Sequence, residues 1–144
     1  MNHSELSTAQ RIFKTILGFF LLFAGIGHMT WARAEFLAQV PIWVMIDGDL
    51  VVLLSGAVEI LLGSMLLLKR TKVEYVGYLT ALFFIAIFPG NISQYVNGID
   101  AFGLDTDRAR FIRLFFQPVL ILWALWSCGA IMKWCKREVV TKKV

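Results

Sequence analysis

Four long apolar runs constrain the fold of this sequence more than any other feature. They cover residues 12–29, 50–68, 73–95 and 112–134. At a rise of 1.5 Å per residue, a helix of that length crosses a hydrocarbon core about 30 Å thick. The runs are apolar nearly all round, whereas the helices of a soluble bundle carry a polar stripe. The sequence therefore predicts an all-α integral membrane protein, an antiparallel four-helix bundle that forms one domain over residues 1–144.

The composition supports the same conclusion. Hydrophobic residues make up 58% of the chain and charged residues 17%, and the mean hydropathy is +0.71. A compact soluble domain of this composition could not present a wettable surface. The first run also has a basic flank and a small-residue segment, Ala32-Arg33-Ala34, like those of a signal peptide. Because the run is longer than a usual signal-peptide core, a retained span is favoured.

The distribution of Lys and Arg predicts the orientation of the bundle. Ten of the fourteen lie at the start of the first run, between the second and third runs, or at and beyond the end of the fourth, and four (Arg33, Arg108, Arg110 and Arg113) lie at the opposite end. The positive-inside rule then predicts that both termini are cytoplasmic and that residues 30–49 and 96–111 lie outside. The net charge of +4 reflects this topology and does not indicate a nucleic-acid partner.

The first external loop, residues 30–49, is unusually apolar and contains Trp31, Trp43 and a helix-breaking Pro41. It is too short to span a bilayer. Tryptophans are enriched at headgroup depth, so the loop is predicted to form a short amphipathic element in the interface. We expect it to pack against the outer mouth of the bundle as a lid.

Glu59 lies within the second apolar run, where an ionised carboxylate costs about 2.5–3.5 kcal/mol or more. Two states remain open from the sequence. Glu59 pairs with Arg113, or it is protonated and hydrogen-bonds to Asn91 or His28.

Further polar residues fall in the outer half of the predicted bundle together with Glu59. An isolated Asn or Gln in a span often serves only to hold helices together, and an Arg near the interface often only anchors it. Taken together, the residues predict a polar pocket, whose candidates are His28, Glu59, Asn91, Gln94, Arg113 and Gln117. Pro89 and Pro118 lie at the same depth and are expected to kink their helices and open a vestibule there.

The two cysteines and two histidines limit the chemistry. Cys128 and Cys135 are seven residues apart near the end of the last run, beyond disulfide reach if both lie on one helix. His3 and His28 cannot supply a pair of axial ligands at one site, so no metal or haem site is predicted.

Several segments carry a family resemblance. They are "GIGHMTWARAEFLAQVPIWV", "LLSGAVEILLGSMLLL", "FFIAIFPGNISQY" and "RFIRLFFQPVLILWALW". In order and spacing they resemble the four spans of the DoxX-like family of small bacterial membrane proteins. That family shows a His in span one, a Gly-x-x-Glu-like element in span two, Phe-Pro-Ala-Asn in span three and Arg-Leu-Pro-x-Gln in span four. The matching residues here are His28, Glu59, Asn91, Arg113 and Gln117.

The sequence departs from the family pattern at two places. Gly90 stands where Ala is usual, and Phe115 stands where Pro is common, with Pro118 displaced to a position after the Gln. These differences bear on the geometry of the kinks more than on the polar residues.

The resemblance implies a bacterial inner-membrane protein, and together with the predicted polar pocket it leaves three classes of function. The first is a redox-associated subunit that binds a quinone or another lipophile and works with a soluble redox subunit. The second is a proton-coupled carrier of a small solute, which would need a homodimer. The third is an assembly factor for other membrane proteins, which would not be an enzyme. Family members that perform thiol chemistry carry a close cysteine pair, which this sequence lacks.

Overall fold

The computed structural model describes residues 6–68 and 72–141, with side chains up to Cys135. Every regular element in these ranges is a helix: α1 Thr8–Met29, α2 Arg33–Ala38, α3 Gly48–Leu67, α4 Val73–Val96, α5 Asp107–Ser127 and α6 Ala130–Thr141. Helices α1, α3, α4 and α5 are long and apolar enough to cross a membrane, with mean hydropathies between 1.4 and 2.3. The predicted all-α class is confirmed.

Side-chain caps define where the long helices begin. Ser7 and Gln10 form a capping box at the start of α1, and Asp47 and Thr106 accept hydrogen bonds from backbone N–H groups in the first turns of α3 and α5. Each cap satisfies a backbone donor that has no partner within the helix. The cap at Thr106 starts α5 at Asp107, ahead of the apolar run that begins at residue 112.

The prediction of one helix over residues 112–134 is wrong at its end. Helix α5 ends at Ser127, and a separate helix, α6, begins at Ala130. Gly129 between them has a φ of +71°, a left-handed conformation that glycine adopts without steric cost and that ends helices. The two free cysteines consequently lie on different sides of this break, Cys128 buried and Cys135 exposed.

The long helices pack as two tight pairs, α1 with α3 and α4 with α5. Glycines bring α1 and α3 into backbone contact. A Cβ atom added to Gly25 would lie 2.7 Å from the carbonyl oxygen of Gly56, and one added to Gly63 would lie 2.7 Å from that of Gly18. Close approach of this kind is typical of helices that pack in membranes.

The interior between the pairs is filled by a cluster of buried side chains: Leu17, Leu21, Leu62, Leu66, Val76, Ala81, Phe84, Ala124 and Cys128. The outward faces of the same helices are also apolar, with large side chains such as Phe19 and Leu82 mostly exposed. An exterior this apolar suits contact with lipid.

Residues 30–47 close one end of the bundle, and we call this segment the lid and this end the outer end. The lid contains α2, followed by turns around Pro41. Its tip leaves Ile42, Trp43 and Met45 strongly exposed. The lid packs over the mouth of the bundle as expected, and its apolar tip points away from it.

Polar contacts tie the helices together at the inner end. Lys14 donates to the carbonyl oxygen of Leu66, and Lys133 pairs with Glu74. These lysines belong to the basic residues used to predict the orientation. Of the others, Lys69 and Arg70, the side chains of Lys136 and Arg137, and Lys142 and Lys143 lie outside what the structure describes, as does His3.

Candidate functional site

A cavity of about 620 Å³ lies beneath the lid in the outer half of the bundle. Its walls come from α1, α3, α4, α5, the lid and the loop before α5. Six aromatic rings contribute to these walls: Phe20, Phe23, Trp31, Phe36, Phe84 and Phe102. A volume of this size, with apolar walls and a few polar groups, is typical of a small-molecule site.

Five of the six predicted site residues line this cavity: His28, Glu59, Asn91, Arg113 and Gln117. The sixth, Gln94, is fully buried beside it. Its side-chain oxygen accepts from Gln39 Nε2 at 2.6 Å, and its Nε2 donates to the carbonyl oxygen of Ala101 at 3.2 Å. Gln94 therefore fixes the lid and the α4–α5 loop in place.

Glu59 and His28 form a buried pair across the α1–α3 interface. Nδ1 of His28 lies 2.6 Å from Oε2 of Glu59, and the two side chains are 7% and 6% exposed. The same Nδ1 lies 3.1 Å from the carbonyl oxygen of Ala24, and Oε2 has no aligned hydrogen-bond donor among the described residues. Glu59 lines the cavity, so its carboxylate can also accept a hydrogen bond from a ligand bound there.

Local packing explains why the pair forms. His28 Cβ rests directly on Gly56, where a Cβ would lie only 2.7 Å away. Gly56 precedes Glu59 by one helical turn, so both groups share one face of α3. The ring of His28 also stacks on Phe36 of the lid, with 3.3 Å between ring centroids. The imidazole is thus held from both sides.

Arg113, Asn91 and Gln117 form a hydrogen-bonded chain on the opposite wall. Arg113 Nε donates to Asn91 Oδ1 at 3.3 Å, and Asn91 Nδ2 donates to Gln117 Oε1 at 2.9 Å. Gln117 Nε2 donates to the carbonyl oxygen of Phe84 at 2.5 Å, within the turn that Pro89 disturbs. Of the two states left open for Glu59, the structure pairs it with His28, while Arg113 is bonded to Asn91.

The guanidinium of Arg113 retains donor capacity toward the cavity. Its central carbon lies 5.2 Å from the centroid of the Phe102 ring, a cation–π distance. Its hydrogen bond to Asn91 uses one of five N–H groups. Neither Asn91 nor Phe102 carries a negative charge to balance the guanidinium. The charge of Arg113 therefore suits an anionic or strongly accepting ligand group.

The lid residues that contact the rest of the cavity wall were not predicted from the sequence. Glu35 Oε2 accepts from the backbone N–H of Phe102 at 2.6 Å, and Gln39 donates to Gln94. Glu35 and Gln39 are four residues apart, and this spacing could have indicated a shared face. Arg33 pairs with Asp49 at the hinge of the lid, and this carboxylate raises the pKa of the Arg33 guanidinium.

Phe102 has a strained backbone conformation. Its φ of +56° is left-handed, which costs about 1–2 kcal/mol for a residue with a Cβ. The contacts of Phe102 with Glu35 and with the ring of Phe36, whose centroid is 4.7 Å away, hold it there. Strain of this kind is concentrated at functional sites.

Metal chemistry finds no support in the part of the chain that the structure describes. There, no three His, Cys, Asp or Glu side chains come close enough together to hold an ion.

Comparison with known proteins places the chain in a family. A family model described as "Domain of unknown function (DUF8561)" matches residues 17–128, and the chain belongs to that family. The match covers α1 from Leu17 onward, the lid, α3, α4 and α5. No curated protein and no solved structure matches the chain.

Proposed function

We propose that this DUF8561 protein is a multi-pass protein of the bacterial inner membrane whose cavity binds a lipophilic ring molecule of the quinone type. In this proposal the DoxX-like resemblance of the four helices reflects a shared role as a redox-associated subunit. Both termini are cytoplasmic, and the cavity lies in the outer half of the bilayer. The position of Lys14, Lys72 and Lys133 at the inner end supports that orientation.

The polar groups of the cavity complement both forms of a quinone head. A quinol hydroxyl can donate to the carboxylate of Glu59, which lines the cavity. A quinone carbonyl can accept from the free N–H groups of Arg113. The aromatic walls suit a flat ring, which stacks on them in offset or edge-on geometry.

The His28–Glu59 pair can hold a proton beside the ring. At 2.6 Å the nitrogen and oxygen are within charge-assisted hydrogen-bond distance. A group poised in this way meets the geometric requirement for exchanging a proton with a bound hydroxyl. Electrons would pass to a soluble redox subunit, in keeping with the resemblance.

The single observation that carries the proposal is the buried His28–Glu59 pair, which lines an aromatic cavity. We would test it by titrating the protein in nanodiscs with a short-tailed benzoquinone and following tryptophan quenching. Trp31→Phe should remove most of the signal, because Trp31 is the tryptophan that lines the cavity.

The matched variants are Arg113→Gln and Arg108→Gln. Arg108 lies on the same helix, is exposed and does not line the cavity. A lost charge-assisted hydrogen bond of about 1.5–3 kcal/mol predicts roughly tenfold to hundredfold weaker binding for Arg113→Gln and no change for Arg108→Gln. Absence of saturable quenching, or equal effects of the two variants, would contradict the proposal.

A further inference from the structure

The interface between α1 and α5, which we call the seam, is closed at its inner end. The ring of Phe13 packs edge-on against Trp123 and Trp126, with centroid distances of 5.9 and 5.6 Å. Trp123 Nε1 donates to the carbonyl oxygen of Phe13 at 3.0 Å, and Gln10 Nε2 donates to that of Trp126 at 2.8 Å. Two hydrogen bonds and two ring contacts thus hold the helices together there.

The outer end of the seam differs. The cavity occupies the space between the helices, with Phe20 and Phe23 of α1 on one side and Leu120 of α5 on the other. Phe20 is 48% exposed and Phe23 is 65% exposed, although both line the cavity. A side chain that belongs both to a cavity wall and to the outer surface of a helix marks an opening. The ring of Phe23 lies 5.2 Å from that of Trp31, which forms the rim on the lid side.

Packing closes the cavity between α1 and α3, and hydrogen bonds cross above it at the lid. The glycine contacts between Gly25 and Gly56 leave no gap between α1 and α3. Above the cavity, Glu35 holds Phe102, and Gln39 holds Gln94. The rings of Phe36 and Phe102 meet under these bonds. The lid and the loop before α5 are thus bonded to each other across the outer face, where the cavity-lining residues Glu35 and Gly103 are exposed.

We infer that the cavity opens sideways, between α1 and α5, at the depth of the lipid acyl chains, and takes its ligand from the membrane. The ligand class is an amphiphile dissolved in the bilayer, with a polar ring head in the cavity and an apolar tail that leaves past Phe20 and Phe23. Their exposed faces lie along the path of that tail. This inference rests on the proposed function, to which it adds the route by which the ligand enters and an apolar tail on the ligand.

The test places a photoreactive benzoylphenylalanine at Phe23 and, in a matched variant, at Phe19. Phe19 is 61% exposed on the same helix but does not line the cavity. Each variant is irradiated in nanodiscs with a decyl-tailed benzoquinone, with and without an excess of the tail-less benzoquinone, and adducts are counted by mass spectrometry. We expect labelling at position 23 that falls at least fivefold under competition, and labelling at position 19 that does not change.

Quenching of Trp31 measured in the same samples separates the two ideas. Saturable quenching without competed labelling at position 23 would overturn the lateral opening and leave the quinone site standing. Loss of both quenching and competed labelling would overturn the proposed function and this inference with it. Competed labelling at both positions would also contradict the inference, since it would place the tail on the wrong face of α1.

Discussion

Helix α1 has two neighbours, α3 and α5, and it packs against them in opposite ways. Against α3 it presents glycines, so that backbone meets backbone at Gly25 and Gly56. Against α5 it presents phenylalanines, which meet Trp123 at the inner end but line a cavity at the outer end. Small residues let two helices approach closely. Large rings that meet at only one end of an interface leave space at the other end. The α1–α3 interface therefore sets the fold, and the outer end of the α1–α5 interface can hold a ligand.

The largest effect is expected from a single methyl group in the α1–α3 interface. Gly25→Ala would place a Cβ 2.7 Å from the carbonyl oxygen of Gly56, so the backbones must separate. Overpacking of this kind predicts a loss of about 1–3 kcal/mol in the free energy of unfolding. Unfolding in detergent, followed by circular dichroism, measures it.

Gly27→Ala is the matched control for that prediction. A Cβ there would meet only the Trp31 ring, at 3.4 Å, which is an ordinary contact. Because alanine favours helix over glycine by about 1 kcal/mol, we expect unchanged or slightly higher stability. Equal losses of stability in the two variants would show that α1 and α3 are not in tight backbone contact at Gly25.

The second prediction concerns the pair that joins the interface to the cavity. Glu59→Gln and His28→Gln should be non-additive in a double-mutant cycle, with a coupling of about 1–2 kcal/mol, because the two side chains touch. The cycle of Glu59→Gln with Arg113→Gln should show a smaller coupling. A larger coupling in the cycle with Arg113 would show that Glu59 pairs with Arg113 and not with His28.

The third prediction tests the closed end of the seam. Trp123→Phe keeps an aromatic ring against Phe13 and removes the indole N–H that donates to its carbonyl oxygen. A hydrogen bond of this kind contributes about 0.5–1.5 kcal/mol, and we expect a loss of that size in the same unfolding measurement. Trp126→Phe should cost less, since Trp126 accepts its bond through the backbone.

The smallest effect is expected at the hinge of the lid. Arg33→Gln removes an ion pair with Asp49 that is about two-fifths exposed. Exposed pairs contribute little and are screened by salt, so the unfolding midpoint should not move measurably. A clear drop at low salt would show that the lid contributes to the stability of the whole bundle.

Much of this architecture could be predicted from the sequence, because it follows from local properties. The apolar runs predicted the four long helices, although α5 begins at Asp107, ahead of the run at residue 112. The break before α6 was missed because Gly129 stands in an apolar stretch that reads as continuous helix. Hydropathy does not detect a left-handed residue.

Five of the residues that line the cavity were named from the sequence, but their contacts were not. Depth along each helix placed His28, Glu59 and Asn91 in the outer half of the bundle, since depth follows from residue number. The choice of His28 over Arg113 as the partner of Glu59 depends on helix rotation and on the room that Gly56 provides. The closing role of Gln39 depends on how the lid folds back, which no periodic pattern encodes.

The spacing of the interface glycines has a consequence for how the helices can slide. Gly18 meets Gly63 and Gly25 meets Gly56, so each helix carries its contacts seven residues apart. Shifting α1 by one helical turn along α3 would set both glycines against larger side chains at once. The antiparallel pair of α1 and α3 therefore has one register and no neighbouring alternative. If the cavity adjusts to ligands of different size, α5 and the lid are the elements that move.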